Sequence, residues 1–396
     1  MNQSRRFDII ATGLAIFSML FGAGNLMFPI KAGIISGEYN FFGISGFIIT
    51  AVILPLAGLI AMILYDGDYM SFFYRMGKIP GKIMVFISML VIGPIIGLPR
   101  CVSVAQVMIS PFLPIAALQG SGYLAMFLFS VLFLGLTFLA SYKENNIVDI
   151  LGYFISPLLL ISLATVIIKG LVFKGAAIVA TATPLQLFKT NILKGYETLD
   201  LLGTIFFASI VITILKNKMG KQTKGCLKKL AAIGLKAGIL GVTLLGIIYV
   251  GMSYLGAFHG HGLASLNDGQ AFREVVFRVI GTYGTSIIST ATLMACLSTS
   301  IALSAVATEY VEKNIFRGKI GYITALILVL LASIPLSTYG LNAVLAITGG
   351  PLVFIGYPAL IVLTFCNIAY KLFGFKYVKA PVFATLLISF STYYIF

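Results

Sequence analysis

The sequence predicts an all-α, polytopic membrane protein of about eleven transmembrane helices, built as two inverted five-helix repeats in which helices 1 and 6 are discontinuous. Three observations carry that prediction. With 59% hydrophobic and 10% charged residues and a mean hydropathy of +1.05, the 396 residues hold too little polar surface to cover a soluble body. Apolar stretches long enough to cross a bilayer recur along the chain, separated by basic loops. Two of these stretches are interrupted by glycine and polar residues at mid-depth.

The first apolar stretch follows Arg5 and Arg6 and runs through Phe28 and Ile30. It is longer than the apolar core of a cleavable secretion signal and ends at no small-residue cleavage site, so it reads as a retained first helix. A window of about 19 residues places spans near 9–32, 41–65, 83–110, 121–141, 148–169, 186–215, 231–257, 282–308, 320–337, 342–369 and 380–396. The loops alternate in charge. One set holds Arg75, Lys78 and Lys82, then Lys143, then Lys216, Lys218, Lys221, Lys224, Lys228 and Lys229, then Lys313, Arg317 and Lys319, then Lys371, Lys376 and Lys379. The other holds Lys31, then Lys169, Lys174, Lys189 and Lys194, then Arg273 and Arg278. This asymmetry puts the N-terminus in the cytoplasm and the protein, multi-pass, in the inner or cytoplasmic membrane. The net charge of +15 therefore reflects a membrane address and not a nucleic-acid partner; the lipid bilayer is the expected surrounding. Trp is absent, so the interfacial belt falls to the 19 Tyr. Cys101, Cys226, Cys296 and Cys366 form neither a zinc pattern nor a disulfide framework and read as packing residues.

The first interruption is Phe21-Gly22-Ala23-Gly24-Asn25-Leu26-Met27-Phe28-Pro29. Glycine weakens a helix, asparagine in hydrocarbon needs a partner, and lipid cannot hydrogen-bond a freed backbone group. Such a break is tolerated where it lines a protein-walled cavity, as in the substrate and ion sites of secondary transporters. The second, Gly195-Tyr196-Glu197-Thr198-Leu199-Asp200-Leu201-Leu202-Gly203, lies five spans later. A unit with an odd number of helices repeats upside down, so spans 1–5 and 6–10 read as an inverted pair. The expected layout is a single transmembrane domain, 1–396, with a first repeat at 7–173, a second at 186–370 and a peripheral C-terminal helix at 371–396. The competing reading takes these glycines as packing notches between helices.

The motifs Gly22-Ala23-Gly24-Asn25 with Phe28-Pro29, Ile92-Gly93-Pro94 with Leu98-Pro99-Arg100, Gly195-Tyr196 with Thr198-Leu199-Asp200, and Ala295-Cys296-Leu297-Ser298-Thr299 occur in this order. Together they resemble the branched-chain amino acid:cation symporter family, also called the branched-chain amino acid transport system II carriers. The similarity runs over nearly the whole chain. It implies the amino acid, polyamine and organocation superfamily, the leucine-transporter fold, and uptake of leucine, isoleucine and valine with sodium or a proton. The family usually has about twelve spans, against about eleven here. The ten-helix core is complete, so the difference bears on peripheral packing or oligomer contacts.

The residues themselves agree with such a site. Amides of Gly22, Ala23 and Gly24, with Asn25 beside them, open a half-helix where aligned N–H groups attract a substrate carboxylate. Carbonyls near Ser18 and Phe21, the hydroxyls of Ser298 and Thr299 and the carbonyl of Ala295 form a neutral oxygen set for Na+, similar to the superfamily's sodium site between helices 1 and 8. The alternative is that Ser298, Thr299 and Ser300 bond back to their own helix. Ile92, Ile95 and Ile96 in span 3 and Phe206 and Phe207 in span 6 are wall residues, and Tyr196 and Thr198 belong with them to the substrate set.

Asp200 either senses the substrate ammonium indirectly, binds a cation or pairs with Arg100. Arg100 and Glu197 are assigned to a gate or an ion pair, with a solvated Glu197 and a snorkelling Arg100 as the plainer readings. No catalytic set and no selectivity ring is visible, which argues against an enzyme and against a channel. No cofactor is expected beyond Na+ as coupling ion, with H+ as the alternative through Asp200 or Glu197. The substrate is a small molecule, and nothing in the sequence sets the oligomeric state.

Overall fold

The computed structural model describes residues 3–120, 122–142, 156–219 and 224–395. Lys143, Lys221 and positions 148–155 of span 5 lie outside the described residues. So do the side chains of Arg5, Arg6, Lys216, Lys218, Lys224, Cys226, Lys228 and Lys229. Among the described residues every regular element is helical.

Span 1 is two helices, α1 (Gln3–Leu20) and α2 (Ala23–Ser36), parted at Phe21 and Gly22, the latter extended at φ −107°, ψ −161°. Span 2 is α3 (Asn40–Ile48) and α4 (Leu54–Leu64), joined through a π turn at Ile49–Ile53. A short α5 (Tyr69–Tyr74), capped by Asp68, leads into α6 (Lys78–Leu90) and α7 (Gly97–Ile109) of span 3. Between them a second π turn, Val91–Ile95, forms where Pro94 lacks the amide an α-helix needs. Spans 4 and 5 are α8 (Tyr123–Ser141) and α9 (Ser156–Val172).

Span 6 repeats the broken plan of span 1 as α10 (Pro184–Tyr196) and α11 (Asp200–Met219). α10 starts on a Thr183 cap with Pro184 at its first position and Gln186 closing a capping box. Span 7 is α12 (Lys224–His259). Span 8 lies in α13 (Asp268–Tyr310), which turns at Gly281 (φ 70°, ψ −172°) just ahead of the expected boundary. α14 (Tyr322–Thr338) bends by 104° into the short α15 (Gly340–Thr348). The last elements are α16 (Pro351–Phe373) and α17 (Lys379–Ile395).

Span 10, expected from residue 342, in fact begins at Pro351. Gly349-Gly350-Pro351 stops α15, and Gly350 is extended. Among the described residues six continuous helical stretches, Ala23–Leu64 and Lys78–Phe112 among them, are long and apolar enough to cross a membrane, seven with the bent pair. The sequence count of about eleven also includes spans that break into short halves, such as Ile9–Leu20.

α12 lies against both halves of span 1, α13 against α7 and α2, and α11 against α4. The bundle closes around the two breaks, with Phe17, Phe21, Phe28, Phe47 and Tyr249 fully buried there. α17 packs along α16 at the periphery.

Candidate functional site

The break in span 6 frees backbone groups that lipid could not satisfy, and side chains from other helices take them up. Arg100, on α7, donates from Nη1 to the Glu197 carbonyl at 2.6 Å and from Nη2 to the Thr198 carbonyl at 3.0 Å. The Thr198 hydroxyl donates to the Gly195 carbonyl (2.8 Å) and accepts from the Asp200 amide (3.3 Å). The Leu201 amide donates to the Tyr357 hydroxyl of α16 at 3.0 Å. Between these supports Leu199 sits in the left-handed region, φ 63°, a conformation that a branched side chain adopts only when its surroundings enforce it.

Asp200 opens α11, where the helix dipole favours its charge. Both its carboxylate oxygens accept from Asn25 Nδ2 at 2.8 Å, and Oδ2 also accepts from the Tyr249 hydroxyl at 2.8 Å. Asn25 Nδ2 contacts that hydroxyl too, and Asn25 Oδ1 accepts from the Gly22 amide at 3.3 Å. One carboxylate thus ties the second half of span 1 to span 6 and to α12.

A cavity opens between the two breaks. Of the expected site residues Gly22, Ala23, Asn25, Ile92, Thr198, Asp200, Thr299 and Arg100 line it. Its free volume is about 30 Å³, room for a water or two, so a branched amino acid enters only as the helices part. Ile95 and Ile96 do not line it. The π turn, with the Ile96 amide bonded to the Val91 carbonyl (3.2 Å), adds a residue to the turn and rotates the face predicted by helical spacing, so that Gly97 and Cys101 follow Ile92 instead. Phe206 also points elsewhere, stacking on Phe73 at 5.9 Å, while Gly203 and Phe207 carry the cavity face of α11. Tyr196 packs against Tyr357 with the rings tilted by 37° and their centroids 5.0 Å apart, outside the cavity lining. Gly24 stands just behind the lining, where an added Cβ would lie 2.8 Å from the Phe28 ring and 3.2 Å from Arg100 Cζ.

The proposed ion ligands come together in part. The Ser298 hydroxyl lies 3.4 Å from both the carbonyl and the hydroxyl of Ser18 and donates to its own helix at the Ala295 carbonyl, 2.8 Å. Thr299 packs against Gly22 so closely that a Cβ there would sit 2.9 Å from its Oγ1. That hydroxyl is buried without a hydrogen-bond partner among the described residues. Phe21 and Ala295 are fully buried beside them.

The expected Arg100–Glu197 pair takes a different form: Arg100 meets the backbone of Glu197, whose carboxylate pairs with Lys194 at 2.8 Å. Lys194 also pairs with Asp268 at 2.7 Å, and Lys31 lies 3.9 Å from Asp268 while donating to the carbonyls of Ala264 and Leu266. This half-buried cluster joins α2, α10 and the start of α13. Phe28 lies between it and the cavity, with Lys194 Nζ 4.8 Å and Arg100 Cζ 5.6 Å from the ring centroid. Sequence reasoning missed Tyr249, Tyr357 and the Lys194–Asp268 pair, since a tyrosine in an apolar run and a lysine near a span end carry no signal of their partners.

A family described as branched-chain amino acid transport protein matches residues 5–394. The chain is 30% identical to the branched-chain amino acid permease BrnQ of Bacillus subtilis (strain 168), over 92% of this chain and 82% of that one. It is 28% identical to BrnQ of Escherichia coli (strain K12), over 92% and 81%. Among solved structures it is similar to MhsT in complex with L-phenylalanine, with a TM-score of 0.63 at 16% identity over 96% of this chain and 97% of that one. It is also similar to the inward-facing conformation of Mhp1, with a TM-score of 0.61 at 15% identity over 92% and 77%. With this fold and a match over nearly its whole length, the chain belongs to the branched-chain amino acid transport protein family, whose members are transporters and not enzymes.

Proposed function

We propose that this protein imports leucine, isoleucine and valine by symport with Na+, alternating access around the cavity between the two helix breaks. The orientation read from the loop charges puts it in the cytoplasmic membrane with the N-terminus inside. The supporting observation is that one cavity holds a buried cation, Arg100, and a buried anion, Asp200, beside the amide-rich start of α2. A zwitterion is the ligand that neutralises both. Its carboxylate faces Arg100 and the amides of Ala23 and Gly24, its ammonium faces Asp200, and an aliphatic side chain lies against Ile92, Phe207 and Leu303. The unpartnered Thr299 hydroxyl beside Ser18 and Ser298 supports a site for sodium, which accepts neutral oxygens.

Purified protein in proteoliposomes, given labelled leucine under a sodium gradient or a pH gradient separately, tests the reading. Uptake should follow sodium, be competed by isoleucine and valine but not by lysine or glutamate, and fall in Ser298→Ala/Thr299→Ala. Uptake that ignores sodium, follows the pH gradient and survives loss of both hydroxyls but not Asp200→Asn replaces sodium with a proton carried at Asp200. Strong competition by lysine points to another substrate class.

Gly24→Leu is expected to abolish leucine binding while leaving membrane insertion intact, because the new side chain drives into Phe28 and Arg100. Binding of labelled leucine to the purified variant measures it, and near-normal affinity counts against the site.

A further inference from the structure

A second cavity, of about 200 Å³, lies away from the first, between the α6–α7 junction, the end of α13 and α14. Two π turns frame it, Val91–Ile95 and Val311–Ile315, each forcing an extra residue into a helix and opening a gap beside Pro94 and Ala307. Its walls are wholly apolar, and its rim residues Phe86, Phe316 and Leu328 are 43%, 38% and 43% exposed. In a chain that crosses a bilayer such a rim faces hydrocarbon, and an apolar cavity with no polar partner for water takes an apolar guest.

The charge around its mouth says what that guest carries. Lys82, exposed, lies one turn before Phe86 on the same face of α6, and Arg317, exposed, follows Phe316. The same side holds Arg75, Lys78, Lys313 and Lys319 against Glu309 and Glu312, and Glu309 is paired with Lys313 at 2.7 Å. We propose that an anionic phospholipid, from the leaflet that Lys82 and Arg317 face, seats an acyl chain in this cavity with its phosphate between those two residues.

The probes are phosphatidylglycerol and phosphatidylcholine carrying the same photoactivatable acyl chain, each incorporated into proteoliposomes of the full-length protein. Phosphatidylglycerol should label residues 86–94, 307–316 and 328–332 about tenfold more than phosphatidylcholine. Lys82→Gln/Arg317→Gln should bring the two lipids level. Ala332→Trp, at a lipid-exposed wall position, should cut the labelling about tenfold; Ala332→Leu fills less of the space and serves if the larger residue disturbs folding. Equal labelling by both lipids in the unaltered protein, or labelling that neither Ala332 variant reduces, overturns the proposal and leaves general lipid contact.

Discussion

Arg100→Met is expected to weaken leucine binding by about 10²-fold or more and to lower the melting temperature of the purified protein. Two separate losses combine. The carbonyls of Glu197 and Thr198 lose their donors inside the bundle, at about 1–3 kcal/mol each, so the break in span 6 loosens. A guanidinium has five N–H groups, and only some are engaged by those carbonyls, so the substrate carboxylate loses a partner as well. Arg100→Lys separates the two, since an ammonium keeps the charge without the planar fork. It should restore part of the binding and less of the melting temperature. The measurement is labelled-leucine binding beside thermal unfolding, repeated with 3-methylbutylamine, which is leucine without its carboxylate. The preference for leucine over the amine should shrink in Arg100→Met. Unaltered leucine affinity there would remove Arg100 from the site.

Asp200→Asn should also reduce leucine affinity by about 10²-fold, through the opposite end of the ligand. The carboxylate accepts from both Asn25 and Tyr249, whereas an amide offers one oxygen and turns an NH2 group toward a donor. The tie among spans 1, 6 and 7 is weakened and the ammonium loses its countercharge. Comparing leucine with 4-methylpentanoate, which lacks the amino group, isolates the second effect. The unaltered protein should discriminate strongly and the variant weakly. Equal discrimination in both would make Asp200 a positioning residue only.

The breaks were legible because their residue types are costly in an apolar helix: Gly22, Gly24 and Asn25 in span 1, and Thr198 and Asp200 in span 6, have no reason to sit at mid-membrane without a cavity. The cavity face was less legible. Helical spacing groups Ile92 with Ile95 and Ile96, but the π turn at Val91–Ile95 is a property of backbone packing around Pro94, so the extrapolated face rotates away. Of the two adjacent wall residues expected in span 6 only Phe207 lines the cavity, for a related reason: which of them faces it depends on where α11 restarts after Leu199. Tyr249 and Tyr357 were hidden among the 19 tyrosines, whose composition suggests an interfacial belt; only the three-dimensional packing shows two of them fully or nearly buried against the second break. The Gly349-Gly350-Pro351 stop lies inside an apolar run, and a hydropathy window of about 19 residues averages across it.

The presence of Arg100 and Asp200 in the lining of one cavity has an electrical consequence. Their formal charges cancel, and a zwitterionic amino acid adds none, so neither the empty nor the loaded site carries net charge through the membrane field. Under the proposed coupling the voltage acts only on the accompanying ion, which draws about 2.3 kcal/mol from each 100 mV, or about 50-fold in accumulation. Substitutions that unbalance the pair, Arg100→Met or Asp200→Asn, make the protein itself a moving charge, and the voltage dependence of the return step then changes sign between them.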